Sequence, residues 1–216
     1  MKGKVFTAQE VQALIAGNKT QFREVIKFSE NKTTREFQEI ALNKISEGFS
    51  EYNVCLSDFF KCPYQVGQKI FCKESWAVNK HYDSFDPKTC FAAMSGDVKY
   101  CVAYDSNNEF KVDDWAGKKR SAKSMPQWAS RLTLLIKEIK VERLQDISEE
   151  DAIAEGVFKS KDYWHSTLHP IKGNYQCWTS AKEAFGKLWN ATHKKPEEKF
   201  EASPWVWCVK FEVINN

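Results

Sequence analysis

Apolar and polar residues alternate in four stretches of this chain, and apolar residues recur at helical spacing in three others. Val11, Leu14 and Ile15 follow the capping signature Thr7-Ala8-Gln9-Glu10 and precede Gly17, which predicts a helix over residues 8–16. Between Lys19 and Phe28, one parity holds Phe22, Ile26 and Phe28 and the other Arg23, Val25 and Lys27, the pattern of a strand with a basic face. The cleanest alternation sets Ile70, Cys72, Glu74, Trp76 and Val78 against Phe71, Lys73, Ser75 and Ala77. It places the Glu74 carboxylate on the more apolar face, where it needs a partner or a role. The branched run from Arg131 to Val141 predicts a long strand, and the alternation from Trp205 to Val213 after Pro204 predicts a closing one. Ser148-Glu149-Glu150-Asp151 opens a short helix whose acidic first turn suits the helix dipole and which Gly156 ends. Ser180 caps another helix, with Ala184, Phe185, Leu188 and Trp189 as its apolar face.

Long polar stretches separate these elements. Residues 29–60 read as a loop with some helix, residues 79–127 as an insertion and residues 157–178 as a further loop. The second contains a predicted hairpin, Cys90–Met94 and Val98–Tyr104 around Ser95-Gly96-Asp97, and the basic run Gly117-Lys118-Lys119-Arg120-Ser121-Ala122-Lys123. That run is either a solvated loop or a contact for phosphates. The order of elements argues for an α+β fold with one mixed or antiparallel sheet. Closing that sheet into a small barrel would remove its exposed edges. The expectation is therefore one domain over residues 1–216, a small β-barrel with short flanking helices and long inserted loops.

Composition narrows the class. The chain has 216 residues, 42% hydrophobic and 28% charged, a globular balance long enough to bury a core without staples. No apolar run approaches the roughly 20 residues of a membrane span. Met1-Lys2-Gly3-Lys4-Val5-Phe6 leads into no signal-length apolar stretch, so a cytoplasmic protein without membrane partners is expected. Seven cysteines without a C-x-x-C pair read as reduced thiols. His165 and His169 are spaced for a helix but sit against Pro170, so neither metal nor cofactor is expected. A net charge of +3 is too mild to announce nucleic acid, whereas 14% aromatics with eight tryptophans suit either a core or base-stacking platforms. No Gly-rich phosphate loop, Ser/His/Asp signature or H-E-x-x-H occurs.

Three stretches together resemble the ASCH domain, a branch of the PUA-like barrel superfamily. They are Ile15-Ala16-Gly17-Asn18-Lys19-Thr20, then Pro63-Tyr64-Gln65-Val66-Gly67 followed by Lys73-Glu74-Ser75-Trp76, and Arg143-Leu144-Gln145-Asp146-Ile147-Ser148 through Glu155-Gly156. Met125-Pro126-Gln127-Trp128-Ala129-Ser130-Arg131 and Pro204-Trp205-Val206-Trp207 add a likeness to a phage and prophage subgroup. The resemblance implies a cleft beside a small barrel that takes RNA, DNA or a single modified nucleobase, with RNA favoured. A phage origin would add host factors as partners.

Some small ASCH proteins resemble amidohydrolases that deacylate N4-acetylcytidine through a G-x-K-T-x-T-x-R motif and a later glutamate. Gly17, Lys19 and Thr20 match that motif, and Glu155 falls where the assisting glutamate is expected. Phe22 occupies the place of the nucleophilic threonine and Glu24 that of the arginine, and a phenylalanine has no hydroxyl to attack with. Two readings stand side by side. In a binding protein, Lys19, Thr20, Arg23, Lys118, Lys119, Arg120 and Lys123 would meet the nucleic acid, and Trp76 or Phe22 would stack a base. In a nucleoside amidohydrolase or ribonuclease, Lys19 would work with Glu74 or Glu155 as acid and base, and Thr20 would be the nearest hydroxyl.

Overall fold

The computed structural model describes residues 1–46, 62–86, 117–165 and 178–215. The predicted hairpin at residues 90–104 lies outside them, as do residues 47–61 and 166–177 of the other two long stretches.

Seven strands and four α-helices are present among the described residues: β1 (Lys2–Val5), α1 (Ala8–Ile15), β2 (Gln21–Val25), α2 (Lys32–Ser46), β3 (Lys69–Lys73), β4 (Leu132–Arg143), α3 (Glu149–Ala154), β5 (Phe158–Ser160), β6 (Tyr163–His165), α4 (Ala181–Thr192) and β7 (Trp205–Asn215). Five strands form one mixed sheet in the order β1-β3-β4-β7-β2, and β5 and β6 form a separate two-stranded ribbon. The fold is α+β, as the pattern predicts. The expected closed barrel is not formed among the described residues. Closure would require β2 and β1 to exchange backbone bonds, and they stand at opposite ends of the strand order. The edges are instead kept short, at four and five residues, which limits pairing with other chains.

Two compact units emerge from the packing, Met1–Ala16 with Lys69–Leu135 and Val213–Asn216, and Gly17–Gln68 with Ile136–Glu212. In the first, β1 runs parallel to β3, pairing Gly3 with Phe71, and β3 runs antiparallel to β4, pairing Ile70 with Leu134. Phe6, Val11, Leu14, Ile70, Leu132 and Leu134 are buried there. The predicted strand over 70–78 stops at Lys73 because its backbone finds other partners. Glu74 N–H donates to Met125 Sδ (3.3 Å), and Trp76 exchanges backbone bonds with Arg120 (3.2 and 2.7 Å). In the second unit, β2 lies antiparallel to β7, pairing Arg23 with Cys208. Its main core gathers Leu144, Ile147, Ala152, Val157, Ala184, Phe185, Trp189 and Val206 between α3, α4 and the sheet. The Glu149 carboxylate joins the two helices by accepting from Ala181 N–H (2.7 Å) and Lys182 N–H (3.3 Å) at the start of α4. Residues 158–165 are a ribbon and not the expected loop, with Lys161 at its turn in a left-handed conformation (φ 56°).

No helix among the described residues is long and apolar enough to cross a membrane. Helix α1 begins with the predicted capping box: Thr7 Oγ1 accepts from Glu10 N–H (3.2 Å), and Glu10 Oε2 accepts from Thr7 N–H (2.8 Å). Replacing Thr7 by Ala removes one of these bonds and should destabilise the protein by about 1 kcal/mol. Thermal unfolding should register that as a fall in Tm of about 2–4 °C.

Candidate functional site

Gly17 ends α1 in a left-handed conformation (φ 74°), and the chain then runs along the last turn of α3 before entering β2. That course satisfies carbonyls which a helix end leaves without partners. Lys19 Nζ donates to the Glu155 carbonyl (2.8 Å) and to its Oε2 (2.9 Å). Gln21 Nε2 donates to the Asp151 carbonyl (2.7 Å). A cation at the C-terminal end of a helix also complements its dipole.

Two residues on, Arg23 enters the same cluster. Its NH1 donates to Glu155 Oε1 (2.9 Å), its NH2 to Asp151 Oδ2 (3.1 Å) and its Nε to Glu142 Oε1 (2.8 Å). Burial acts against its charge, but Glu155 and Glu142 outweigh that penalty and raise its pKa further above its ordinary value. Strand geometry decides who takes part: Gln21, Arg23 and the paired Cys208 share one face of the sheet. Phe22 and Glu24 share the other, where Phe22 packs against Tyr64 and Phe211 and Glu24 Oε2 accepts the Tyr64 hydroxyl (2.6 Å). Burial, and then that bond to a carboxylate, push the Tyr64 phenol well above its usual range.

The cluster therefore holds two cations and three carboxylates. Lys19 is only 2% exposed and Glu155 5%, whereas Glu142 and Asp151 reach solvent at 20% and 28%. Removing one partner of such a group leaves buried charge uncompensated, a loss of about 3–5 kcal/mol. Its inner part is an amine and a guanidinium locked onto one carboxylate, and its rim is made of acceptors. Glu142, Asp151 and Cys208 have ligand atoms close enough together for a metal ion, within 4.8 Å of one another. The residues do not fit one, because the Arg23 guanidinium already bonds both carboxylates and the Cys208 thiol donates to Gln21 Oε1 (3.7 Å).

No protein-family model, curated protein or solved structure matches this chain.

Several expected site residues have other places in the structure. Phe22 is core and offers no stacking surface. Arg23 is buried on carboxylates, so it is not presented to phosphate. Thr20 is exposed, its backbone tied to Ala154 and Phe211. Trp76 is buried, with Arg120 over its ring (5.5 Å) and Trp128 edge-on to it (5.9 Å). Glu74, in the first unit, is gripped bidentately by Arg131 (2.9 and 3.0 Å). The Met125-to-Arg131 stretch supplies that grip: Met125 Sδ receives Glu74 N–H, and Ser130 Oγ donates to the Cys72 carbonyl (2.8 Å).

The basic run lies against residues 76–78 as an irregular segment, with a single bridge between Arg120 and Trp76 and one 3-10 turn over Ala122–Ser124. Gly117 N–H donates to the Val78 carbonyl (2.7 Å) and Lys118 N–H to Asp83 Oδ2 (2.8 Å). A Cβ at 117 would meet the Asp83 carboxylate at 2.4 Å, so a larger residue there would displace that side chain from Lys118 N–H. Lys118, Lys119 and Lys123 are exposed, while Arg120 turns inward onto Trp76 and Asp83. Lys73 joins this edge, its Nζ donating to the Lys123 carbonyl (2.8 Å).

Sequence reasoning missed Glu142, Asp151, Gln21, Cys208 and Arg131. The i,i+4 spacing of Asp151 and Glu155 puts both carboxylates on one helix face, a signal that was there to find. Nothing local announces Glu142 or Cys208.

Burial pushes the Cys208 thiol up from 9.0 to about 12; Arg23 opposes this, and Glu142, Glu155 and Asp151 reinforce it. In the unfolded chain the thiol ionises near its ordinary pKa while the folded one stays protonated, so its contribution is intact below pH 9 and lost as pH rises towards 12. One such thiol should remove about 1 kcal/mol of stability by pH 10. Urea midpoints measured from pH 8 to pH 10 should fall, and should fall less in Cys208→Ala.

Proposed function

We propose that this protein binds nucleic acid through the basic run of residues 117–123, and that it is an ASCH-type, PUA-like protein that does no covalent chemistry at Lys19. The observation that carries the reading is the exposure of three lysines, Lys118, Lys119 and Lys123, along one segment whose backbone is held by Trp76, Val78 and Asp83. Exposed lysines on a held backbone suit phosphates, which position a polyanion without reading its sequence. RNA is the favoured partner on the resemblance of the three ASCH-like stretches. A base presented edge-on to the second unit would meet Glu142 and Asp151, acceptors suited to the exocyclic amine of cytosine or adenine.

A second reading rests on the contact between Lys19 and Glu155, an amine and a carboxylate within proton-transfer distance. It would make the protein a nucleoside amidohydrolase or ribonuclease. For the amidohydrolase route, the residue in the place of the nucleophilic threonine is Phe22, which is core and has no hydroxyl.

Filter binding of labelled RNA over a salt series tests the first reading. Affinity should fall linearly in log–log form, and the triple variant Lys118→Glu/Lys119→Glu/Lys123→Glu should flatten the slope by about 2 for a single strand. Binding that is insensitive to salt, or to this variant, would refute it. Incubation with N4-acetylcytidine should yield no product. Product formed by the wild type and lost in Lys19→Met would establish the enzyme instead.

A further inference from the structure

Gly117 and Arg120 fasten the basic run to the neighbouring chain: Gly117 N–H donates to the Val78 carbonyl (2.7 Å), and Arg120 exchanges backbone bonds with Trp76 (2.7 and 3.2 Å). Lys118 and Lys119 lie between these two points, and there Lys118 N–H donates to Asp83 Oδ2 (2.8 Å). The Asp83 carbonyl also accepts Arg120 NH2 (3.3 Å). Asp83 is itself placed by the 3-10 turn Lys80–Tyr82, which Asn79 caps by accepting His81 N–H (3.0 Å). Its own N–H donates to the Lys80 carbonyl (3.2 Å). One acid thus holds the run at two points.

That acid has the wrong charge for its surroundings. The described residues of the first unit include ten Lys and Arg against four Asp and Glu, so a polyanion drawn to the run would be repelled by Asp83. Its ion pair is loose, since Arg120 NH2 stands 3.6 Å from Oδ1, and Oδ1 has no hydrogen-bond partner among the described residues. The short bond its carboxylate makes is the one from the Lys118 backbone. Gly117 agrees with that role: a Cβ there would lie 2.4 Å from both carboxylate oxygens, so the carboxylate occupies the space a side chain would need.

We infer that Asp83 is a positioning residue for polyanion binding: its carboxylate fixes the backbone from which Lys118 and Lys119 project, so that the run is ordered before the phosphates arrive. Ordering that precedes binding does not subtract from affinity, and this gain outweighs the repulsion of one acid. Asp83 touches no phosphate and acts through Lys118. The inference rests on the nucleic-acid reading of residues 117–123 and adds to it a residue that helps the polyanion in spite of its sign.

Charge and positioning predict opposite signs, which three variants separate. Asp83→Ala removes the charge and the acceptor, Asp83→Asn removes the charge but keeps an acceptor, and Gly117→Ala keeps the charge but drives the carboxylate off Lys118 N–H. In fluorescence anisotropy with a labelled oligouridylate, Asp83→Ala and Gly117→Ala should each bind about 5- to 30-fold more weakly, the effect of leaving one backbone residue to be ordered on binding. Their salt slopes should match the wild type, because no lysine is lost. Asp83→Asn should restore binding to at least the wild-type level. Hydrogen exchange at the Lys118 amide should be slow in the wild type and Asp83→Asn and faster in the other two, with circular dichroism showing all of them folded. Asp83→Ala binding as tightly as the wild type or tighter would show a merely repelling charge and overturn the positioning role while the nucleic-acid function stands. Unchanged exchange at Lys118 in Asp83→Ala would overturn it too. Should Asp83→Ala fail to fold, wild-type affinity in Gly117→Ala overturns the role by itself. A wild type that does not bind the oligouridylate would overturn both the function and the role.

Discussion

A guanidinium buried among three carboxylates organises the second unit. Arg23 enters from β2, Glu142 from β4, and Asp151 and Glu155 from α3, so one side chain joins two strands and a helix that lie far apart in the chain. Bringing an arginine out of water costs several kcal/mol, which only near-complete pairing offsets. Lys19 completes the pairing by taking the second oxygen and the carbonyl of Glu155. The arrangement permits few alternatives. A one-residue shift of β2 would bring Phe22 to the carboxylates and send Arg23 into the aromatic contact with Tyr64 and Phe211.

That commitment shapes what the cluster can do. A lysine held by a carboxylate is a plausible catalytic pair in isolation, but here the amine also tethers the backbone at the end of α3. The acceptors at the rim, Glu142 and Asp151, are what a solute would meet first. The same economy governs the first unit, where Arg131 neutralises buried Glu74 and Arg120 covers buried Trp76. In both units buried or partly buried cations stabilise the fold by pairing inside it.

Much of the local structure was legible in the chain. Thr7 and Glu10 announce α1 with its capping box, Ser148 and Ser180 open α3 and α4, and the alternating runs mark β4 and β7. Each of these depends on neighbours within a few residues, where side-chain chemistry and helical or strand period act directly. The pairing of Lys19 with Glu155 was anticipated through the resemblance, and their types and burial agree with a shared role. Less was visible wherever a short element relies on a distant one. β1 has four residues and exists through its ladder with β3, and the β5–β6 ribbon is held by Trp164 in the core. The strand over 70–78 ended early because Met125 and Arg120 captured its backbone from segments some 45 residues onwards.

By itself the sequence determined the α+β class, the starts of α1, α3 and α4, and the alternation of β2, β4 and β7, because all of these follow from local period and capping. Tertiary structure alone decided that the sheet stays open, that Arg23 serves carboxylates inside and not phosphates outside, and that Glu74 answers to Arg131. Those outcomes turn on which distant groups arrive within hydrogen-bonding reach, and a buried charge takes whatever partner the fold delivers to it. Residue order along the chain carries no record of that arrival.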